Sequence, residues 1–135
     1  MTQEHKDILI KDICSRLPYG VKAEKYTIRI DGEFIPYRHV EVVTAKDIIT
    51  QKDCPGYMIR PYLFPLSSMT DEDYAVYSKI WEDAGKTAYL EGCHHLISTI
   101  KAYKVANDYL LSKHYDIYGL IPMDLAIDAT NKNIY

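Results

Sequence analysis

His114 and Asp116 are the pair of residues best placed for acid–base chemistry. They lie in His114-Tyr115-Asp116, directly after a predicted helix. A carboxylate beside an imidazole can orient it as a general base, but this role also needs a nucleophile or a substrate nearby. A histidine at a helix C-terminus also has a structural role, because it meets the free carbonyls and the negative end of the helix dipole. The pair is therefore a candidate ligand-binding site, with a helix end as the alternative.

Arg60 forms a second candidate site, because tyrosines 57 and 62 lie close to it on either side. A guanidinium group can hold an anion such as a phosphate beside aromatic faces. The candidate ligand-binding residues are therefore Tyr57, Arg60, Tyr62, His114 and Asp116. The alternative for Arg60 is a solvated residue on the edge of a strand.

The sequence contains none of the common catalytic motifs. Ser67-Ser68 and the three cysteines (Cys14, Cys54 and Cys93) lie outside known nucleophile signatures, and the six glycines form no phosphate-binding loop. Glu91 and His94 have the E-x-x-H spacing of di-iron bundles, but those sites require a second copy. We therefore expect no metal, no cofactor and no catalytic residue, and a small hydrolase is the least favoured class of function.

The composition is that of a single globular domain spanning residues 1–135, with 47% hydrophobic and 26% charged residues. No apolar run approaches 18 residues, and the polar start of the chain does not resemble a secretory signal. Three widely separated cysteines suit a reducing compartment. We therefore expect a cytoplasmic protein without membrane association.

The net charge of −3 is unevenly distributed. Residues 1–64 carry ten basic and nine acidic side chains, or +1, whereas residues 65–135 carry six and ten, or −4. Binding to a phosphate backbone needs a basic stripe, and none is present. General nucleic-acid binding is therefore not expected.

The first half of the chain predicts a helix followed by a small antiparallel sheet. Residues 3–17 have helical hydrophobic spacing and end at Pro18. Tyr26, Ile28 and Ile30 then alternate with Lys25, Thr27 and Arg29 as in a strand with one buried face. Asp31-Gly32 is a favoured hairpin turn, and the return strand covers 34–43 with Val40 and Val42 buried and Pro36 at an edge. Residues 57–64 predict a third strand, and 44–56 are less regular.

The second half predicts two helices. Thr70 is a potential N-cap, with Asp73 at the capping-box position and Met69 and Tyr74 placed for a hydrophobic staple. Tyr74, Tyr77, Trp81 and Ala84 form an apolar stripe that should end near Gly85. A second helix is expected over 87–113, with a break in its pattern at Asn107, and residues 129–135 are expected to fray. The predicted fold class is α+β.

Tyrosine is unusually frequent, with 13 residues against two Phe and one Trp. Tyrosine packs as an aromatic ring while offering a hydroxyl group, so it suits both half-buried positions and interfaces. The frequency is explained either by a small core bordered with tyrosines or by a binding surface.

Three segments carry a resemblance to a known group of proteins. They are Leu17-Pro18-Tyr19-Gly20-Val21-Lys22, the segment from Arg60-Pro61-Tyr62 to Thr70, and the segment from Leu110 to Ala126 that contains Ser-Lys-His-Tyr-Asp and Gly-Leu-Ile-Pro-Met. In this order they resemble small hypothetical proteins of gut Bacteroides species and of their phages and prophages. The resemblance implies a bacterial host and a phage origin, and no activity or site residue comes with it.

Together these features favour a non-enzymatic interaction protein. The expected partner is a host or phage protein, or a second copy of the chain. The alternative is a small-ligand binder, for instance one that sequesters a nucleotide signal at Arg60.

Overall fold

A computed structural model describes residues 1–28, 31, 34–36, 40–91 and 95–135. Its helices are α1 (Gln3–Arg16), α2 (Ala45–Asp53), α3 (Asp71–Glu91) and α4 (His95–Ser112). Its strands are β1 (Lys22–Ile28), β2 (Phe34–Pro36), β3 (Glu41–Val42), β4 (Tyr57–Leu63) and β5 (Ile127–Asp128). An N-terminal helix, a small sheet and two long helices confirm the predicted α+β fold.

Helix α1 covers one face of the sheet and supplies part of the core. The Thr2 hydroxyl caps the helix by accepting a hydrogen bond from the His5 amide at 3.1 Å. Leu9 and Ile13, one helical turn apart on α1, are fully buried in the main hydrophobic cluster. Gly20 ends the following 3₁₀ turn at a φ of 65°, a backbone conformation that glycine adopts without steric cost.

The sheet is mixed rather than purely antiparallel. Within the described residues the strand order is β2-β1-β4-β5, with β3 also paired to β1. The predicted third strand, β4, pairs antiparallel with β1, whereas β5 runs parallel to β4. The prediction missed β5 because a two-residue strand has no periodicity to detect.

Strands β1 and β2 form an antiparallel hairpin, as predicted. Thr27 pairs with Ile35, so Asp31 is the midpoint of the connection. The predicted turn at Asp31-Gly32 lies partly outside the described residues. The β2 strand is an edge strand, as the proline at 36 requires.

The predicted burial of Val40 and Val42 is wrong. These side chains are 39% and 47% exposed, and Val43 is buried instead. Because the side chains of a strand alternate between its faces, a shift of one residue exchanges the buried and exposed sets.

Helix α2 occupies the segment that the sequence analysis described as irregular. The Thr44 hydroxyl accepts from the Asp47 amide, and the Asp47 carboxylate accepts from the Thr44 amide at 2.8 Å, which forms a capping box. Gln51 then accepts a hydrogen bond from the Ile59 amide at 2.7 Å and links α2 to β4. The capping box was the available sequence signal for this helix.

Lys25, predicted to face solvent, lies instead beneath α2. Its ammonium group is 2.9 Å from Glu41 and 3.0 Å from Asp47, and its side chain is only 12% exposed. Tyr26, on the opposite face of β1, is half-buried. Lys25 therefore departs from the predicted alternation, Thr27 is exposed as predicted, and the side chains of Ile28, Arg29 and Ile30 lie outside the described residues.

Helices α3 and α4 form an antiparallel hairpin, called here the helical hairpin. The Thr70 hydroxyl caps α3 by accepting from the Asp73 amide at 3.1 Å, as predicted. Tyr74, one of the two residues of the predicted hydrophobic staple, is 62% exposed. Gly85 does not end α3, which continues to Glu91, because packing between the two helices outweighs a cost of about 1 kcal/mol for one interior glycine. Helix α4 passes through Asn107 without interruption.

The carboxyl end of the chain is docked rather than frayed. The Ala129 amide donates to the Leu63 carbonyl at 2.8 Å. The Tyr135 hydroxyl donates to the Tyr62 carbonyl and accepts from the Lys22 amide, and the Lys22 ammonium group donates to the Ile134 carbonyl. The prediction of fraying failed because this segment forms hydrogen bonds to the ends of β1 and β4. The polar composition of the segment does not reveal these bonds.

Candidate functional site

The structure separates one residue of the predicted anion site, Tyr57, from the other two. Arg60 and Tyr62 lie on one face of β4, and Tyr57 lies on the other, because side chains alternate along a strand. The Tyr57 hydroxyl donates to Asp47 of α2 at 3.2 Å. The aromatic neighbour of Arg60 is instead Tyr26, whose ring centroid is 6.0 Å from the guanidinium carbon.

The polar groups around Arg60 are largely satisfied by one another. The guanidinium group of Arg60 donates to Asp124, and the Glu24 carboxylate accepts from the hydroxyls of Tyr26 and Tyr62. Burial, together with the neighbouring Glu24 carboxylate, raises the pKa of Tyr26 to about 12. Because Asp124 already neutralises Arg60, an anion would have to displace an existing ion pair in order to bind here.

His114 ends α4 in an unusual backbone conformation. Its amide donates to the Leu111 carbonyl and the Tyr115 amide donates to the Leu110 carbonyl, the two bonds of a Schellman motif. His114 therefore takes the left-handed position of this motif, at a φ of 63°, where glycine is the usual residue. A left-handed conformation costs a residue with a side chain roughly 1–2 kcal/mol, so His114 occupies this position at a backbone penalty.

The imidazole ring of His114 stacks on Tyr135, with ring centroids 3.8 Å apart and planes 10° from parallel. Its Nδ1 atom is buried and has no hydrogen-bond partner. Burial and the positive charges of Arg16 and Lys22 lower the pKa of His114 to about 4. The ring is therefore neutral at pH 7.

A pocket of about 380 Å³ opens beside His114 between the end of β4, the ends of the helical hairpin and the carboxyl-terminal segment. The rings of Phe64, Tyr115 and Tyr135 line it. At its rim the Asp73 carboxylate accepts from the Tyr109 and Tyr115 hydroxyls, each at 2.7 Å. Although burial alone would raise the pKa of Asp73, these bonds hold it below its usual range. The pocket combines aromatic walls with one ionised carboxylate.

Asp116 does not join His114 in a catalytic dyad. Its two carboxylate oxygens accept from the Leu120 and Ile121 amides at 2.8 and 2.9 Å. The two pocket serines, Ser68 and Ser112, donate their hydroxyl hydrogens to backbone carbonyls. Asp116 thus lies in a tight turn, whereas His114 lies at the pocket. This arrangement offers no support for a hydrolase.

We expect protonation of His114 to destabilise the protein at acidic pH. The unfolded chain binds this proton near pH 6.5 and the folded protein only near pH 4, so the free energy of unfolding should fall as the pH drops through this window. Solvent screening of a half-buried ring limits the loss to about 1–2 kcal/mol. Denaturant unfolding of the wild type and of His114→Phe, which keeps a ring against Tyr135, measures the effect. Equal pH dependence of the two proteins would contradict it.

The helical hairpin carries the most extensive exposed apolar surface on the described helices. On α3, Tyr74, Tyr77 and Trp81 follow the predicted stripe, and Tyr74 is 62% exposed. None of the side chains from 71 to 86 is fully buried. Tyr77 and Trp81 contact each other edge to face, with centroids 6.5 Å apart. The stripe was predicted correctly, but it is not part of the core.

Helix α4 carries an apolar stripe, and the rest of the protein covers this stripe only at its carboxyl-terminal end. Residues 100, 103, 107, 110 and 111 share one side of the helix, since successive residues advance by about 100°. Leu110 and Leu111 at the base of the hairpin are buried, whereas Ile100 and Tyr103 further along are 59% and 64% exposed. The apolar pattern thus continues beyond the surface that the fold itself buries.

Tyr74 and the exposed part of the α4 stripe lie on the same flank of the helical hairpin. The half-buried residues of α3, which include Tyr77 and Trp81, and the buried side of α4 around Ala102 and Ala106 define the contact between the helices. From that contact the advance of about 100° per residue turns Tyr74 on α3 and Ile100 and Tyr103 on α4 towards one flank. We call this flank the aromatic face; it comprises Tyr74, Ile100 and Tyr103, with the half-buried Tyr77 and Trp81 along its inner edge. Val105 lies on the opposite side of α4 and is 53% exposed.

Other classes of site find little support in the described part of the chain. It contains no group of three potential metal ligands, and none of its helices has both the length and the apolarity needed to cross a membrane. Cys14 and Cys54 are free thiols, whereas Cys93 and His94 lie outside the described residues.

Comparison with known proteins does not place the chain in a family. No protein-family model matches its sequence, and no curated protein or solved structure matches it either.

Proposed function

We propose that this protein is a non-enzymatic interaction module and that the aromatic face of the helical hairpin is its docking surface. The observation that carries the proposal is the α4 stripe, which is buried at Leu110 and Leu111 but exposed at Ile100 and Tyr103. A helix that packs only against its own domain needs apolar residues only where that domain covers it. The exposed residues Ile100 and Tyr103 therefore suit a binding partner whose surface covers them.

The composition of the aromatic face fits this role. Tyrosine and tryptophan are enriched in the centres of protein interfaces and contribute most of the binding free energy there. Helix α3 spans 21 residues and is therefore about 30 Å long, which is sufficient for a helix-on-helix interface. The exposed Tyr74 and Tyr103 favour a binding surface as the reason for part of the high tyrosine content.

The partner class follows from the surface and from the sequence. An apolar helical face is suited to another protein helix, supplied either by a host or phage protein or by a second copy of the chain. A phage or prophage origin in a bacterial host is part of the proposal, and it rests on the resemblance of the three sequence segments alone.

Site-specific photo-crosslinking in cells of the native host tests the docking surface. Benzoylphenylalanine replaces Tyr103 in one variant and Val105 in a matched control on the opposite side of α4. The two positions are 64% and 53% exposed, so both probes reach solvent. We expect covalent protein adducts from position 103 and few from position 105. Adducts from neither position, or equally from both, would overturn the proposal.

Small-ligand binding is the second candidate function. The pocket at His114 is a better candidate for the binding site than Arg60. Its rings can stack on a planar group such as a nucleobase, and its histidine has the strained backbone conformation that is common at functional sites. Thermal-shift screening with nucleotides provides the test. A ligand present at 100 times its Kd should add about 2.7 kcal/mol to the free energy of unfolding. The stabilisation should disappear in Tyr135→Ala, and an absence of any shift in the wild type would remove this candidate.

A further inference from the structure

The two helices of the hairpin carry charges of opposite sign. Helix α3 contains six acidic residues and two lysines, a net charge of −4. Helix α4 contains two lysines and one aspartate, a net charge of +1 with its histidine neutral. A hairpin with one acidic and one basic helix is complementary to a second, oppositely placed copy of itself.

We propose that the partner of the aromatic face is a second copy of this chain, packed so that α3 of each copy contacts α4 of the other. This inference rests on the proposed docking function of that face. The two hairpins then form a four-helix arrangement around the combined aromatic faces. The alternative pairing of α3 with α3 would oppose two helices of charge −4, so electrostatic repulsion disfavours it.

The charged side chains closest to the aromatic face support this pairing. Glu82 of α3 and Lys104 of α4 lie on the two outer edges of the hairpin, next to the face. Both are exposed, and the internal ion pair of Glu82 with Lys86 is long at 3.5 Å and 66% exposed on each side. Such a pair contributes little to stability, so Glu82 is free to contact a lysine of the other copy.

The area of the aromatic face is sufficient for a weak dimer. Tyr74, Ile100 and Tyr103 each leave about 60% of their surface exposed. With roughly 150–250 Å² per large side chain and a surrounding rim, each copy would bury about 600 Å². The total of about 1,200 Å² is at the lower end of specific interfaces, and we expect a weak dimer with a Kd of roughly 10–100 µM.

Two charge-reversed variants test the pairing. The first carries Glu82→Lys on α3, and the second carries Lys104→Glu on α4. In a dimer of either variant, like charges oppose each other across both α3–α4 contacts. We expect each variant alone to dimerise at least tenfold more weakly than the wild type at low ionic strength, as measured by native mass spectrometry.

An equimolar mixture of the two variants isolates the contact between copies. In the mixed dimer every α3–α4 contact joins opposite charges, so we expect its Kd to return to within about threefold of the wild-type value. Repulsion inside a single hairpin cannot be relieved by mixing, so this recovery requires contact between chains. Wild-type chains that remain monomeric at 200 µM, or a mixture that does not recover, would overturn the inference. Crosslinks from position 103 to a different protein would then leave the docking function itself standing.

Discussion

The Asp12→Ala variant should lose about 3–5 kcal/mol of unfolding free energy, the largest effect expected of any single substitution considered for this protein. Arg16 and Asp12 are both completely buried, and the guanidinium group donates two hydrogen bonds of 2.8 Å to the carboxylate. A third bond, of 2.7 Å, joins Arg16 to the Tyr115 carbonyl and so links α1 to the segment that follows α4. Removing the carboxylate leaves a buried cation without its hydrogen-bonded counterion.

A double variant separates the ion pair from the loss of packing. Asp12→Leu combined with Arg16→Met replaces both charges by apolar side chains, and buried ion pairs replaced in this way often lose little stability. We expect it to be at least 2 kcal/mol more stable than Asp12→Ala in urea unfolding. If the two variants were equally unstable, or if Asp12→Ala lost less than about 1 kcal/mol, the claimed role of the buried charge would be wrong.

The Ile100→Glu/Tyr103→Glu variant should abolish association while leaving the fold intact. Both side chains are about 60% exposed, so their replacement should change the free energy of unfolding by less than about 1 kcal/mol. In the dimer the same carboxylates would be desolvated against aromatic rings, and we expect the Kd to rise by at least about 100-fold. Val105→Glu is the matched control on the opposite side of α4 and should dimerise like the wild type.

Much of the fold could be predicted from local patterns. Leu9 and Ile13 follow the helical period, Thr70 caps a helix as its position indicates, and 57–63 form a strand. Each of these signals depends on residues close together in the sequence. The aromatic stripe of α3 was visible for the same reason, whereas its exposure depends on which surface the rest of the chain covers.

The features that escaped prediction depend on contacts between distant residues. Asp12 and Arg16 have the spacing of an ordinary surface ion pair, yet the folded chain buries both of them, and Arg16 also donates to the carbonyl of Tyr115, 99 positions later. Tyr135 is held by Lys22 and by Tyr62, more than 70 positions earlier. The separation of Tyr57 from Arg60, in contrast, follows from strand alternation and was available from the sequence.

Sedimentation velocity over a concentration series is the most direct test of the claim that the aromatic face joins two copies of the chain. We expect the wild type to shift from a 15.6 kDa monomer at low micromolar concentration towards twice that mass at several hundred micromolar. The Val105→Glu control should follow the same curve, and Ile100→Glu/Tyr103→Glu should remain monomeric throughout. A wild type that stays monomeric, or a dimer that the double variant leaves unchanged, would contradict the claim.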